Sequence, residues 1–163
     1  MSPTPQVPGT PKEILRATRI FYGAIIAGAI LFGVIVFALN NIQGPLMPEL
    51  KEYGNIFLYA AAGMAILCLL VAFNSYNKGV AAAKDPLIPL PAKLNLYRNT
   101  LVRYAALCEA PALFSIIVLF MTANYASLII TAGMIAAMLA KSPTRQRVID
   151  ELALDWKQQK ELE

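Results

Sequence analysis

YAALCEAPALFSIIVLFM, residues Tyr104–Met121, is an almost unbroken apolar run holding one carboxylate, Glu109, and one proline, Pro111. A run of this length suits the roughly 30 Å hydrocarbon core of a bilayer. Three more apolar blocks lie at about 20–39, 56–73 and 125–140. They are apolar on every face, whereas a soluble bundle would be striped. If all four blocks cross a membrane, Glu109 is the one acidic side chain placed in hydrocarbon.

The composition points the same way. The chain is 58% hydrophobic and 15% charged, against about a quarter charged in soluble domains. It contains no histidine, so His-based catalysis and His-ligated metals are excluded. Cys68 and Cys108 lie inside apolar blocks without metal-site spacing. No phosphate loop and no nucleophile paired with a base is present, so no enzyme, metal or cofactor is expected. The net charge of +4 comes from Lys and Arg flanking the blocks, a pattern of topology and not of nucleic-acid binding.

The expected fold is all-α: an integral membrane four-helix antiparallel bundle with cytoplasmic N-terminal, middle-loop and C-terminal helical extensions. Residues 1–9 read as a disordered tail, without a cleavable signal peptide. Residues 10–141 form the four-span domain. Thr10-Pro11-Lys12-Glu13 has the spacing of a capping box with proline at the first helical position. Pro86, Pro89 and Pro91 break the segment after the second span. Residues 93–103 then feed a helix into the third. Only Ala123 and Asn124 separate the third and fourth spans. The fourth apolar run is short, so its helix is expected to take in neighbouring residues. Residues 142–163 read as one amphipathic helix restarting at Ser142-Pro143, with Val148, Ile149, Leu152 and Trp156 at helical spacing. It can lie on the membrane surface or pack on helices of this chain or a partner.

Four spans place both termini on one side with thirteen of the fourteen Lys and Arg residues, leaving only Lys51 opposite. That predicts a multi-pass protein of the cell (inner) membrane with both termini cytoplasmic. Arg16, Arg19, Arg98, Arg103, Lys141 and Trp156 are the expected interface anchors. In the first span, Gly23, Ala24, Ala27, Gly28 and Gly33 have the spacing that lets helix backbones approach closely in lipid. The first and third spans also align without gaps, Tyr22 on Tyr104 and Ala27 on Glu109, as a duplicated hairpin would. Apolar sequence aligns this well by chance too.

Ionisable residues at membrane depth are functional candidates. Ala105, Ala106 and Ala112 surround Glu109 at helical spacing, so its face should meet another helix. Pro111 cannot donate to the Leu107 carbonyl, which frees an acceptor near Glu109. Tyr22, Tyr59, Ser115 and Thr131 are the available hydrogen-bond partners. Such a site can bind and release a proton or cation, or it can be packing glue.

Lys84-Asp85-Pro86-Leu87-Ile88-Pro89-Leu90 and Ala106-Leu107-Cys108-Glu109-Ala110-Pro111-Ala112-Leu113-Phe114 resemble the loop and the carboxylate motif of the proteolipid, subunit c, of rotary ATP synthases. The resemblance covers residues 56–122. It implies a helix pair joined by a cytoplasmic loop, with Glu109 as the ion-binding carboxylate.

Three function classes fit the chain. The first is a non-enzymatic structural or accessory subunit that packs in the lipid bilayer with itself or a membrane-complex partner. The second is a proton- or cation-coupled carrier built on Glu109. The third is a scaffold whose C-terminal helix recruits a soluble partner. Nucleic acid is not among the expected partners.

Overall fold

The structure is a computed structural model that describes residues 10–162; the expected disordered tail, 1–9, lies outside the described residues. Every element found is helical: α1 (Pro11–Gln43), a 3-10 turn (Pro48–Tyr53), α2 (Gly54–Ala83), α3 (Leu90–Thr122), α4 (Ser127–Ala140), α5 (Arg145–Leu152) and α6 (Trp156–Lys160).

The punctuation in the sequence explains most of these limits. At the start of α1 the Thr10 hydroxyl accepts from the Glu13 amide at 3.4 Å, and the Glu13 carboxylate accepts from the Thr10 amide at 2.8 Å. Pro11 costs nothing there, because first-turn amides lack intrahelical partners. α1 ends at Gly44, whose φ of 77° needs a residue without Cβ. α2 runs on past its apolar block and stops before Asp85-Pro86, where the Asp85 carboxylate accepts from the Leu87 amide at 2.9 Å. α3 starts at Leu90-Pro91 and passes through Pro111 unbroken.

α3 is the hub, packing on α1, α2 and α4. Half of its most apolar window is buried, against 28% for α1 and 17% for the α2 segment. Its buried positions, including Leu94, Leu101, Tyr104, Ala105, Cys108, Ala112 and Ile116, recur at three- and four-residue spacing. The tightest approach is α2 on α3: a Cβ added at Gly79 would come within 2.6 Å of Thr100 Cγ2. The close approach expected at Gly23, Ala24, Ala27 and Gly28 is not made among the described residues. All four are exposed, and a Cβ at Gly23 or Gly28 would meet nothing within 4 Å. Only Gly33 of that set packs on a helix, with its Cβ position 3.5 Å from Ile116.

Three helices, α1, α2 with its preceding turn, and α3, are long and apolar enough to cross a membrane. The fourth differs from the expectation. α4 has 14 residues, about 21 Å at 1.5 Å per residue, and it does not take in its neighbours. The Lys141 and Ser142 amides fold back onto the Met138 and Leu139 carbonyls, and Pro143 prevents continuation. α5 then departs at 71°, so α4 and α5 together form a fourth candidate span only as a bent pair.

The single C-terminal helix is also corrected. Thr144, not Ser142, caps α5, its hydroxyl accepting from the Arg147 amide. α5 stops at Ala153, which sits in the left-handed region at φ 48°. Asp155 then caps the short α6, pairing with the Gln158 amide at 2.8 Å. Trp156 therefore belongs to a different helix from Val148 and Leu152. The latter two are fully buried and belong to one core cluster with Tyr76 and Val80 of α2, on which α5 packs, and Leu94, Tyr97 and Leu101 of α3. The apolar stripe of α5 is thus spent on this chain's own helices.

Candidate functional site

The position of Glu109 on α3 makes it partly buried, at the edge of the packed face. Ala105 and Ala112 are fully buried in the core, whereas Ala106 and Ala110 are exposed. The alanines therefore do not form one face around the carboxylate; two belong to the hub contact and two look outward. Among the described residues Glu109 makes no hydrogen bond or ion pair.

None of the expected partners reaches it, because each has another role. Ser115 and Thr131 face each other at 2.6 Å between α3 and α4, and Ser115 also donates to the Ala112 carbonyl at 2.8 Å. The Tyr22 hydroxyl donates to the Met138 carbonyl at 2.9 Å. Tyr59 is 72% exposed. Leu107 packs against the main core and Pro111 is buried.

The polar constellation that does assemble lies where the ends of α1, α2 and α3 meet α5. Tyr22 of α1 and Tyr104 of α3 donate to successive carbonyls at the end of α4, Met138 at 2.9 Å and Ala137 at 3.2 Å. Carbonyls of a helix's last turn lack a full set of intrahelical amides; these hydroxyls add side-chain bonds there, the one from Tyr22 beside the Lys141 amide that Met138 also accepts. The two tyrosines occupy matching places in the gapless alignment of the first and third spans.

Nearer the start of α3, about two turns before Tyr104, Tyr97 and Tyr76 of α2 both donate to the same oxygen of Glu151 on α5, Tyr97 at 2.8 Å. Lys141 lies 3.9 Å from the other Glu151 oxygen and 4.3 Å above the Tyr76 ring. Hydrogen bonds to an ionised carboxylate are roughly twice as strong as neutral ones. Burial raises both phenols well above their ordinary value of 10.0, and the Glu151 charge adds to it. Both therefore remain donors at neutral pH.

The expected interface anchors divide. Arg19 Nε donates to the Pro143 carbonyl at 2.8 Å, and Lys141 is taken up by Glu151 and Tyr76. Arg16 and Arg103 are exposed and Arg98 is partly buried. Trp156 is 63% exposed, with Lys157 and Lys160 ammonium groups 5.7 and 5.1 Å from its ring.

Sequence reasoning missed Glu151, Tyr76 and Tyr97. A signal existed for Glu151: it stands three residues after Val148 and one before Leu152, on the edge of the apolar stripe. Nothing in the sequence tells which hydroxyls it would meet.

The arrangement can fasten helices together. Among the described residues no cluster of metal-ligating side chains occurs. No protein-family model, curated protein or solved structure matches this chain.

Proposed function

We propose that this chain is a non-enzymatic structural or accessory membrane subunit, a four-helix antiparallel bundle with both termini cytoplasmic. It joins a second copy or a partner membrane helix through the α3 face that carries Glu109. One observation carries the reading: Glu109 stands in an apolar helix, flanked outward by Ala106 and Ala110, with no polar partner among the described residues of its own chain. A carboxylate at that depth is costly unless a protein group shelters it. Small flanking residues suit close approach of another helix.

The experiment is site-specific cross-linking in membranes. Ala106→Cys or Ala110→Cys, with Cys68→Ser and Cys108→Ala, is expected to yield a cross-linked dimer or a defined adduct. Glu109→Gln keeps the hydrogen-bonding group and retains the product; Glu109→Leu loses it. Absence of any product from either position removes the reading. Loss of ion binding with Glu109→Gln, the fold intact, would favour the carrier implied by the subunit c resemblance instead. The scaffold reading rests only on the exposed Trp156 segment, since the apolar stripe of α5 is covered.

A further inference from the structure

We infer that the basic end of α1 holds one anionic glycerophospholipid, its phosphate among arginines and an acyl chain running along the small-residue strip of α1. Two cavities adjoin there and share Arg19 as a common wall. The outer one, about 210 Å³, is lined by Lys12, Leu15, Arg16, Arg19, Arg145 and Leu162. The inner one, about 370 Å³, is lined by Arg19, Tyr22, Gly23, Ser142, Pro143 and Thr144. Among the described residues no acidic side chain lines either, and Arg16 and Arg19 are the cations on which the inference rests.

Their order along the helix is that of a lipid. Lys12, Arg16, Arg19 and Gly23 follow one another at three- and four-residue spacing, so they share a face. The cationic cavity precedes the apolar block that begins near Ile20; the mainly apolar cavity lies at its edge. Beyond it, Gly23, Ala24, Ala27 and Gly28 are exposed, with open space over both glycines. From Arg16 to Gly28 is about 18 Å along the axis, close to the span from a phosphate to the middle of a roughly 30 Å hydrocarbon core. Charge complementarity selects the occupant. Basic pockets between membrane helices favour anionic headgroups, and a neutral headgroup gains little there. The Arg19 guanidinium is held in place through its Nε bond to the Pro143 carbonyl, 2.8 Å long. Arg16 is exposed and has no hydrogen bond or ion pair among the described residues.

Native mass spectrometry of the full chain released in mild detergent tests this, with dioleoyl phosphatidylglycerol and dioleoyl phosphatidylcholine titrated separately. The expected result is one retained phosphatidylglycerol per chain, bound about tenfold more tightly than phosphatidylcholine. Arg16→Gln, which disturbs no internal contact, should reduce the preference several-fold. Arg16→Gln with Arg19→Gln should abolish it. Gly23→Leu, whose side chain enters open space, should lower retention of the lipid while the melting temperature stays unchanged. Equal retention of the two lipids overturns the inference. So does a wild-type preference in Arg16→Gln, wild-type retention in Gly23→Leu, or displacement of the lipid by inorganic phosphate at millimolar concentration.

Discussion

Glu109 and Glu151 are the same side chain on two helices of one molecule, both partly buried, and their polar partners differ. Glu109 sits in the most apolar part of α3 with no polar partner among the described residues. Glu151 sits on the polar-rich α5, yet two phenols donate to it and Lys141 stands nearby. The contrast separates two uses of a carboxylate. Where partners come from the same chain, the group fastens that chain's fold. Where none does, the group stands outside the fold's own hydrogen-bond network.

The contrast predicts unequal sensitivity to substitution. The largest expected effect is Glu151→Ala, which leaves the Tyr76 and Tyr97 hydroxyls without their acceptor. Charge-assisted bonds contribute about 1.5–3 kcal/mol each, so docking of α5 should weaken by about 3 kcal/mol. Limited trypsin cleavage at Lys141, Arg145 and Arg147 would report it as a rate increase of at least tenfold. Next comes Gly79→Val. It drives α2 away from Thr100 and so pulls Tyr76 and Tyr97 apart, at a cost of about 1–3 kcal/mol for overpacking, read as a lower melting temperature in detergent. Tyr97→Phe removes one donor and should cost about 1.5 kcal/mol by the same measurement. The smallest effect belongs to Glu109→Gln, with a change within about 0.5 kcal/mol for the isolated chain. A large drop there would mean that Glu109 is internally partnered and would erase the contrast.

pH sharpens it further. Both phenols of the Glu151 site titrate above their ordinary 10.0, so the folded state holds their protons more tightly than the unfolded one. Their contribution is complete below about pH 10 and falls as pH rises through the folded values. Trypsin resistance of α5 should stay flat from pH 7 to 9.5 and decline above about pH 10. Tyr76→Phe with Tyr97→Phe should flatten that decline.

Local chemistry explains what was legible beforehand. Apolar block length announced the first three long helices, and Thr10, Pro11 and Glu13 announced the start of α1. Asp85-Pro86 announced the end of α2. The break between α5 and α6 was hidden because it uses Ala153 in a left-handed conformation, where glycine is the usual signal. The 71° turn after α4 depends on tertiary contacts: Arg19 holds the Pro143 carbonyl, and Tyr22 and Tyr104 hold those of Met138 and Ala137. The small-residue spacing of α1 was plain to read, but spacing alone does not say whether a face turns toward a neighbour of the same chain. Gly79, a lone glycine without a repeating pattern, makes the close contact instead.

The tyrosine caps on α4 also impose an order of assembly. Tyr22, Tyr76, Tyr97 and Tyr104 are all synthesised before the carbonyls of Ala137 and Met138 and the carboxylate of Glu151 that they grip. Until residue 138 has left the ribosome all four hydroxyls wait for acceptors that do not yet exist, and those of Tyr76 and Tyr97 wait on until residue 151. A nascent chain arrested at Lys141 would therefore have a surface near Tyr76 and Tyr97 that the finished protein covers, a place where quality-control factors could tell incomplete chains from complete ones.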